Sequence, residues 1–353
     1  MRIVYVLASL GMGGAERQVL ALAARMAERG HTVALMVLRA ELNEEWPTAI
    51  AVTRLKMRRN AWSVLMGMAR GRRFLRTFKP DVVHSHSFHA NFVARLLGIF
   101  VADAKIVSTI HNVYEGGWAR MLAYRLTDGL SDVTTAVSTA AAERFMRLKA
   151  VRSRGCRVVM NGIDVLEFAP ATERRAAMRA GMSVEDEFVW LTVGRMVAAK
   201  DFPNLLRAFE RVRQRRPDAQ LWIAGEGASG REEGGVRWLG LRRDVPALMD
   251  AADGFVLSSA WEGMPLVVGE AMAMERPVVA TDVGGVRELV GDAGVLVAAR
   301  DSEALAGAML AVMERGEAER RELGRRARAR IEDGFSMEAR GDEWEGLYLG
   351  TRH

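Results

Sequence analysis

Residues 2–38 read RIVYVLASLGMGGAERQVLALAARMAERGHTVALMVL. From Arg2 to Leu10 nearly every position is apolar, as in a strand buried on both faces of a parallel sheet. Gly11-Met12-Gly13-Gly14 then breaks the run. From Ala15 to Arg29, the residues Val19, Leu22, Ala23 and Met26 recur at i, i+3, i+4 and i+7, one face of an amphipathic helix. Gly30 ends that helix, and Thr32–Leu38 forms the next apolar strand. Strand, glycine turn, helix and strand make a βαβ unit, and its repetition predicts a doubly wound parallel sheet. The apolar start is too short for a signal peptide and runs directly into the turn and helix.

The same rhythm continues along the chain. Asp81-Val82-Val83-His84, Lys105–Ile110 and Val133–Val137 are short β-rich runs separated by helical stretches. A second series comprises Phe188–Val193, Gln220–Ala224, Val236–Leu239, Gly254–Ser258, Pro277–Thr281 and Gly294–Val297. Between the two series, Pro170 and charged residues from Glu167 to Arg179 interrupt the apolar pattern. This predicts two α/β domains, 1–168 and 169–335, followed by an amphipathic helix over about 336–353 that carries Trp344, Leu347 and Tyr348. Only Ala228 to Gly235 separate Gly227 from Val236, too few for an ordinary crossover helix, so that sheet edge should be trimmed.

The chain has 353 residues, enough for two domains. Half are hydrophobic and 27% are charged, the balance of a globular protein rather than a disordered one. No apolar run approaches the roughly 20 residues that span a bilayer. The one cysteine, Cys156, leaves no intramolecular disulfide and fits a reducing compartment. The net charge is +6, and of 50 basic residues only Lys56, Lys79, Lys105, Lys149 and Lys200 are lysines. No aromatic-basic motif or zinc knuckle for nucleic acid is present. A phosphorylated substrate or an anionic lipid surface is the expected partner.

The run Ala260-Trp261-Glu262-Gly263-Met264-Pro265-Leu266-Val267-Val268-Gly269-Glu270 carries the chemistry. Pro265 suits a first helical position, which leaves the N–H groups of Leu266, Val267 and Val268 at a helix N-terminus able to hold a phosphate. Glu262 and Glu270 flank that anion site at different depths. An anion hole between two acceptors fits a nucleotide-sugar. The plainer reading is a helix cap followed by a solvent-facing glutamate.

These motifs, taken in order, resemble those of a known family. Gly11-Met12-Gly13-Gly14-Ala15-Glu16, Asn161-Gly162-Ile163-Asp164, Gly194-Arg195 with Lys200-Asp201, Gly225-Glu226-Gly227, the Glu262–Glu270 run and Thr281-Asp282-Val283-Gly284-Gly285 resemble the retaining GT-B glycosyltransferases of family 4, glycosyl transferases group 1. The resemblance covers nearly the whole chain. It implies two Rossmann-like doubly wound domains facing a central cleft, the first on the acceptor side and the second holding the donor, with the last helix crossing back to the first.

By that resemblance, Arg195 and Lys200 grip the donor diphosphate, Glu270 accepts from the ribose hydroxyls and Glu262 meets the transferred sugar. Gly263, Met264, Pro265, Leu266 and Val267 complete the donor site, and Gly13 and Gly14 close on the pyrophosphate. Gly13 and Gly14 lack the third glycine and the ribose-binding acid of a dinucleotide fingerprint. His111 would touch the donor sugar without acting as a base. The activity implied is that of a hexosyltransferase, retaining and metal-independent, which uses no cofactor. It would move a hexose from a UDP- or GDP-sugar to a carbohydrate or lipid-linked acceptor in cell-surface glycan synthesis, lipopolysaccharide included. Rival readings are a nucleotide-sugar epimerase on the same frame and a non-catalytic donor-binding subunit. Glycoside hydrolysis by paired carboxylates would leave the glycines and cations idle.

Two further patterns stay open. His84, His86 and His89 form a tempting metal triad, although the family often carries His-x-His near its acceptor channel. Arg54, Lys56, Arg58, Arg59, Trp62, Leu65, Met66, Arg70, Arg72, Arg73 and Arg76 make a basic amphipathic stretch. It reads equally as a helix docked on an anionic membrane and as one packed on the sheet with solvated arginines. The basic run Arg320–Arg330 reads as a solvated helix face. The expected location is cytoplasmic, with peripheral contact on the inner plasma-membrane face if the first of these holds.

Overall fold

The apolar runs alternate with amphipathic helices because parallel strands must be covered on both faces. The computed structural model describes residues 1–11, 13–39, 50–101, 103–151, 156–227 and 232–350. Met12 of the first glycine turn, residues 228–231 of the short crossover and residues 351–353 of the last segment lie outside them. The chain divides into two units, 1–162 with 337–353, and 163–336.

In the first unit, β1 (Arg2–Leu7) is followed by α1 (Gly14–Glu28), β2 (Thr32–Val37), β3 (Ala51–Arg54), α2 (Ala61–Phe78), β4 (Val82–His86), α3 (Phe88–Gly98), β5 (Lys105–Ile110), α4 (Trp118–Thr127), β6 (Val133–Ala136), α5 (Thr139–Arg147) and β7 (Arg157–Val158). The sheet order is β3-β2-β1-β4-β5-β6-β7, and every pairing is parallel. Strand order reverses between β1 and β4, the switch point where open α/β sheets bind ligands.

The second unit contains α6 (Thr172–Gly181), β8 (Val189–Val193), α7 (Phe202–Arg215), β9 (Gln220–Ala224), β10 (Glu232–Glu233), β11 (Val236–Gly240), α8 (Val245–Ala251), β12 (Gly254–Leu257), α9 (Leu266–Ala273), β13 (Val278–Thr281), α10 (Val286–Val290), β14 (Val295–Val297), α11 (Ser302–Glu314) and α12 (Glu317–Phe335). Its order is β10-β11-β9-β8-β12-β13-β14, with the switch point between β8 and β12. The trimmed edge takes a definite form. No helix lies between β9 and β11 among the described residues, and two-residue β10 pairs antiparallel with β11.

The final helix, α13 (Met337–Leu349), belongs to the first unit. Its Trp344, Leu347 and Tyr348 are buried in one cluster with Ile3, Tyr5, Val19 and Leu22. Lys105 Nζ donates to the carbonyls of Leu347 (2.6 Å) and Gly350 (2.7 Å), a cation at a helix C-terminus. The division at 162/163 lies upstream of the expected 168/169. The Ile163 N–H donates to the Phe335 carbonyl, and Arg328 of α12 donates to the carbonyls of Phe168 and Val165, so 163–168 is tied to the second unit.

Candidate active site

In the second unit the site residues follow the C-terminal ends of β8 and β12, the two strands that flank the switch point. Gly194 and Arg195 leave β8, and Lys200 closes a short turn before α7. Asp201 adopts φ 46°, a left-handed conformation that aspartate tolerates better than most side chains. Leaving β12, Ser258 donates to the Lys200 carbonyl at 2.8 Å, and the Ala260 N–H donates to the Ala199 carbonyl at 2.8 Å. The two turns are thereby stitched together.

Lys200 Nζ then stands 2.8 Å from Glu262 Oε1, and Ser259 Oγ donates to the same oxygen at 2.7 Å. Both charged side chains are largely buried, so water screens the pair little. An ammonium has three donors, which leaves two for a ligand. The Arg195 side chain is exposed and makes no ion pair or hydrogen bond among the described residues.

Close backbone approach explains the glycines. A Cβ on Gly225 (φ 150°) would lie 1.9 Å from the Gly194 carbonyl oxygen, and one on Gly284 (φ 56°) 2.0 Å from that of Glu262. The Gly285 N–H donates to the Gly263 carbonyl at 2.7 Å. The loop after β13 therefore supports the Glu262 turn directly.

Pro265 is the N-cap of α9, not its first helical residue, with ψ 111°. This corrects the sequence expectation by one position, because Pro265 keeps the extended backbone that a cap requires. The Val268 N–H donates to the Pro265 carbonyl at 3.2 Å. The N–H groups of Leu266 and Val267 have no acceptor among the described residues and remain for an anion. Gly263, Met264 and Leu266 are buried around the start of α9, and Glu270 lies one turn into the helix, 3% exposed. Glu270 is thus buried rather than the solvent-facing glutamate of the plainer reading.

In the first unit, Gly13 is the N-cap of α1 and Gly14 its first residue. The Glu16 carboxylate folds back over Gly13, where a Cβ would stand 2.3 Å from Oε2, and accepts from Ser9 Oγ at 3.4 Å. An acidic side chain therefore already lies at this helix N-terminus.

His111 follows β5. Its backbone N–H donates to Glu115 Oε1 at 2.9 Å, while Tyr124 OH donates to Glu115 Oε2 at 2.6 Å. Burial lowers the His111 pKa to about 4, so the ring is neutral near pH 7. Burial raises the Glu115 carboxyl above its ordinary range. Sequence reasoning missed Ser259, Glu115 and Tyr124. Ser259 and Glu115 reach a recognised site residue from three and four positions away, Tyr124 reaches Glu115 from nine, and no spacing motif marks any of them.

The histidine triad does not assemble. Both His84 ring nitrogens are bonded, Nδ1 to Tyr348 OH and Nε2 to Thr109 Oγ1, each at 2.7 Å. Among the described residues no group of three or more His, Cys, Asp or Glu side chains could hold a metal ion.

Comparison with known proteins places this geometry. The family model "Glycosyltransferase Family 4" matches residues 12–166, and "Glycosyl transferases group 1" matches residues 187–315. The chain belongs to glycosyltransferase family 4. It is 29% identical over 324 residues to a glycogen synthase of Mycobacterium tuberculosis, covering 83% of this chain and 76% of that one. It is 24% identical over 306 residues to the Escherichia coli UDP-Gal:alpha-D-GlcNAc-diphosphoundecaprenol alpha-1,3-galactosyltransferase, covering 78% and 77%. The structure of Anabaena Alr3699/HepE in complex with UDP and glucose superposes with a TM-score of 0.83 at 21% identity, over 99% of this chain and 100% of that one. The fold is GT-B, and this glycosyltransferase acts in nucleotide-sugar transfer for glycan synthesis. These relatives favour neither an epimerase nor a non-catalytic subunit.

Proposed function

We propose that this glycosyltransferase is a retaining, metal-independent hexosyltransferase that moves a hexose from a UDP- or GDP-sugar to a carbohydrate or lipid-linked acceptor. The observation that carries the reading is the convergence of Lys200, Arg195, Glu262 and the α9 N-terminus at the β8/β12 switch point. The diphosphate is assigned to Arg195, the remaining Lys200 donors and the Leu266 and Val267 N–H groups. Negative charge developing on the leaving phosphate would be stabilised there by fixed cations and dipoles, without a metal or other cofactor. Glu270 is assigned to the ribose hydroxyls and Glu262 to the sugar. In the first unit, His111 is assigned to the transferred sugar, with Gly13 and Gly14 bounding the space for phosphate and acceptor. In a same-face displacement the leaving phosphate oxygen takes the acceptor proton, and no side chain serves as base.

The relatives' names supply the substrate class. UDP-galactose and a diphosphoundecaprenol-linked acceptor are named for the E. coli protein, and UDP with glucose for HepE. A lipid-linked acceptor fits α2, whose Trp62 (71% exposed) and Leu65 (60%) point outward beside Arg58, Arg59, Arg72 and Arg73. We assign that face to peripheral contact with an anionic membrane on its cytoplasmic side. The deciding experiment screens UDP- and GDP-hexoses by thermal shift, then reads the product's anomeric configuration by NMR. Transfer with the donor's configuration kept supports the proposal. An inverted product would remove the retaining mechanism, and donor conversion without acceptor would put an epimerase in its place.

A further inference from the structure

His86 ends β4 and pairs in register with Thr109 of β5, two residues before His111. Its Nδ1 lies 2.9 Å from His111 Nε2, with ring centroids 5.1 Å apart. The imidazole is 3% exposed, and Nε2 is buried with no partner among the described residues. His84, 4.0 Å away between centroids, cannot supply one, since both its nitrogens are taken by Tyr348 and Thr109. Tyr5, at 6.0 Å, spends its hydroxyl on Tyr348.

Two neutral imidazoles facing nitrogen to nitrogen share one proton, so one ring donates and the other accepts. If His111 donated, the His86 proton would sit on Nε2 as a buried N–H without an acceptor, an arrangement folded proteins rarely tolerate. If His86 donates from Nδ1, only a bare lone pair is left unpaired. The second arrangement is the less costly. It puts the His111 proton on Nδ1, an atom with no partner among the described residues and not among the buried ones.

We propose that His86 is a positioning residue that fixes the tautomer of His111, so that His111 presents an Nδ1–H hydrogen-bond donor to the transferred sugar. The sugar contact rests on the function proposed above, whereas the tautomer does not. With Nδ1 protonated and the Nε2 lone pair engaged, His111 has no free basic nitrogen. It can donate to a hydroxyl or to charge growing on oxygen, but it cannot take the acceptor proton. His84 lies behind this pair, its ring centroid 4.0 Å from that of His86 and 4.5 Å from that of Trp344 on α13.

The test uses the full chain labelled with ¹⁵N-histidine. Long-range ¹H–¹⁵N spectra at pH 7.5 should show His111 protonated on Nδ1 and bare on Nε2, and a proton on Nε2 overturns the proposal. His86→Asn can still donate from the place of Nδ1 and should keep both the tautomer and a kcat close to wild type. His86→Asp can only accept. It should move the His111 proton to Nε2 and lower kcat by ~10²-fold with KM for the nucleotide-sugar little changed, as for loss of a donor to developing charge. If Asn and Asp variants that melt like wild type lose kcat equally, His86 serves packing alone and the proposal fails. Should His86→Asp not fold, the wild-type spectrum and the Asn variant still decide. The predicted tautomer together with undiminished kcat in His86→Asp would overturn the sugar contact of His111, and leave the donor site of the second unit untouched.

Discussion

At the scale of single residues, this site is built from groups whose charge the fold has already settled. Lys200 and Glu262 compensate each other across 2.8 Å, so neither is a bare buried charge. His84, His86 and His111 all have pKa values lowered by burial, so the unfolded chain binds their protons more tightly than the native one. Stability that these rings contribute is complete above their unfolded value near 6.5 and is lost as pH falls toward the native values, about 4 for His111. Glu115 acts in the opposite sense. Its raised pKa makes the native state bind the proton more tightly just above the ordinary carboxylate range, so its contribution grows on acidification. The melting temperature should therefore fall between pH 7 and pH 5, and Glu115→Gln should make the fall steeper. A shallower fall in that variant, followed by circular dichroism, would contradict the sign assigned to Glu115. Residues of this kind leave little trace in sequence. His111 stands out by its place in a motif, whereas Glu115 and Tyr124 acquire meaning only once α4 folds back beneath it.

Among the secondary-structure elements, the long apolar runs were plain in the sequence because strands covered on both faces need little besides Val, Ile, Leu and Ala. Short edge strands were not. The four residues of β3 and the two of β7 and β10 carry no periodicity to detect. Helix α2 shows a subtler failure of pattern. Its buried positions are Gly67, Gly71 and Leu75, and a Cβ on Gly71 would stand 2.7 Å from a Leu97 methyl. Glycine lets the middle of this helix approach α3 closely, while Met68, Phe74, Leu75 and Phe78 pack inward on the core. Trp62, Val64, Leu65 and Met66 are left outside, with no acidic residue in the helix. One face of α2 is thus packed on the core through Met68, Phe74, Leu75 and Phe78, and the membrane proposal rests on the exposed N-terminal end of the helix. The protein should co-sediment with anionic vesicles at low salt and be released as the Debye length shrinks from roughly 10 Å at 0.1 M to 3 Å at 1 M. Replacing Arg58, Arg59, Arg72 and Arg73 by Gln should abolish binding, each basic group being worth about 1 kcal/mol near such a surface. Failure of the wild type to co-sediment would return α2 to the solvated-helix reading and direct the search for acceptors to soluble glycans.

Over the whole molecule, one architectural rule is used twice. Each unit winds helices on both sides of a parallel sheet, and each brings its motif residues to the carboxyl ends of the strands beside its switch point: Gly11, Gly13 and His86 in the first, Arg195, Lys200 and Glu262 in the second. The second set combines cations, a helix N-terminus and buried carboxylates, and to it we assign the metal-free binding of the donor diphosphate proposed above. Turnover should consequently survive excess EDTA, and activity lost to the chelator and restored only by Mg²⁺ or Mn²⁺ would contradict that assignment. The assignment of Glu270 is the most exposed to direct test, because a buried carboxylate one turn inside α9 has no surface role to fall back on. Isothermal titration of UDP and GDP into the wild type and Glu270→Ala measures it. The ribose should lose a charged acceptor worth about 1.5–3 kcal/mol, weakening the preferred nucleotide about tenfold or more while the fold is retained. Equal affinity of the two proteins for that nucleotide would place the donor elsewhere.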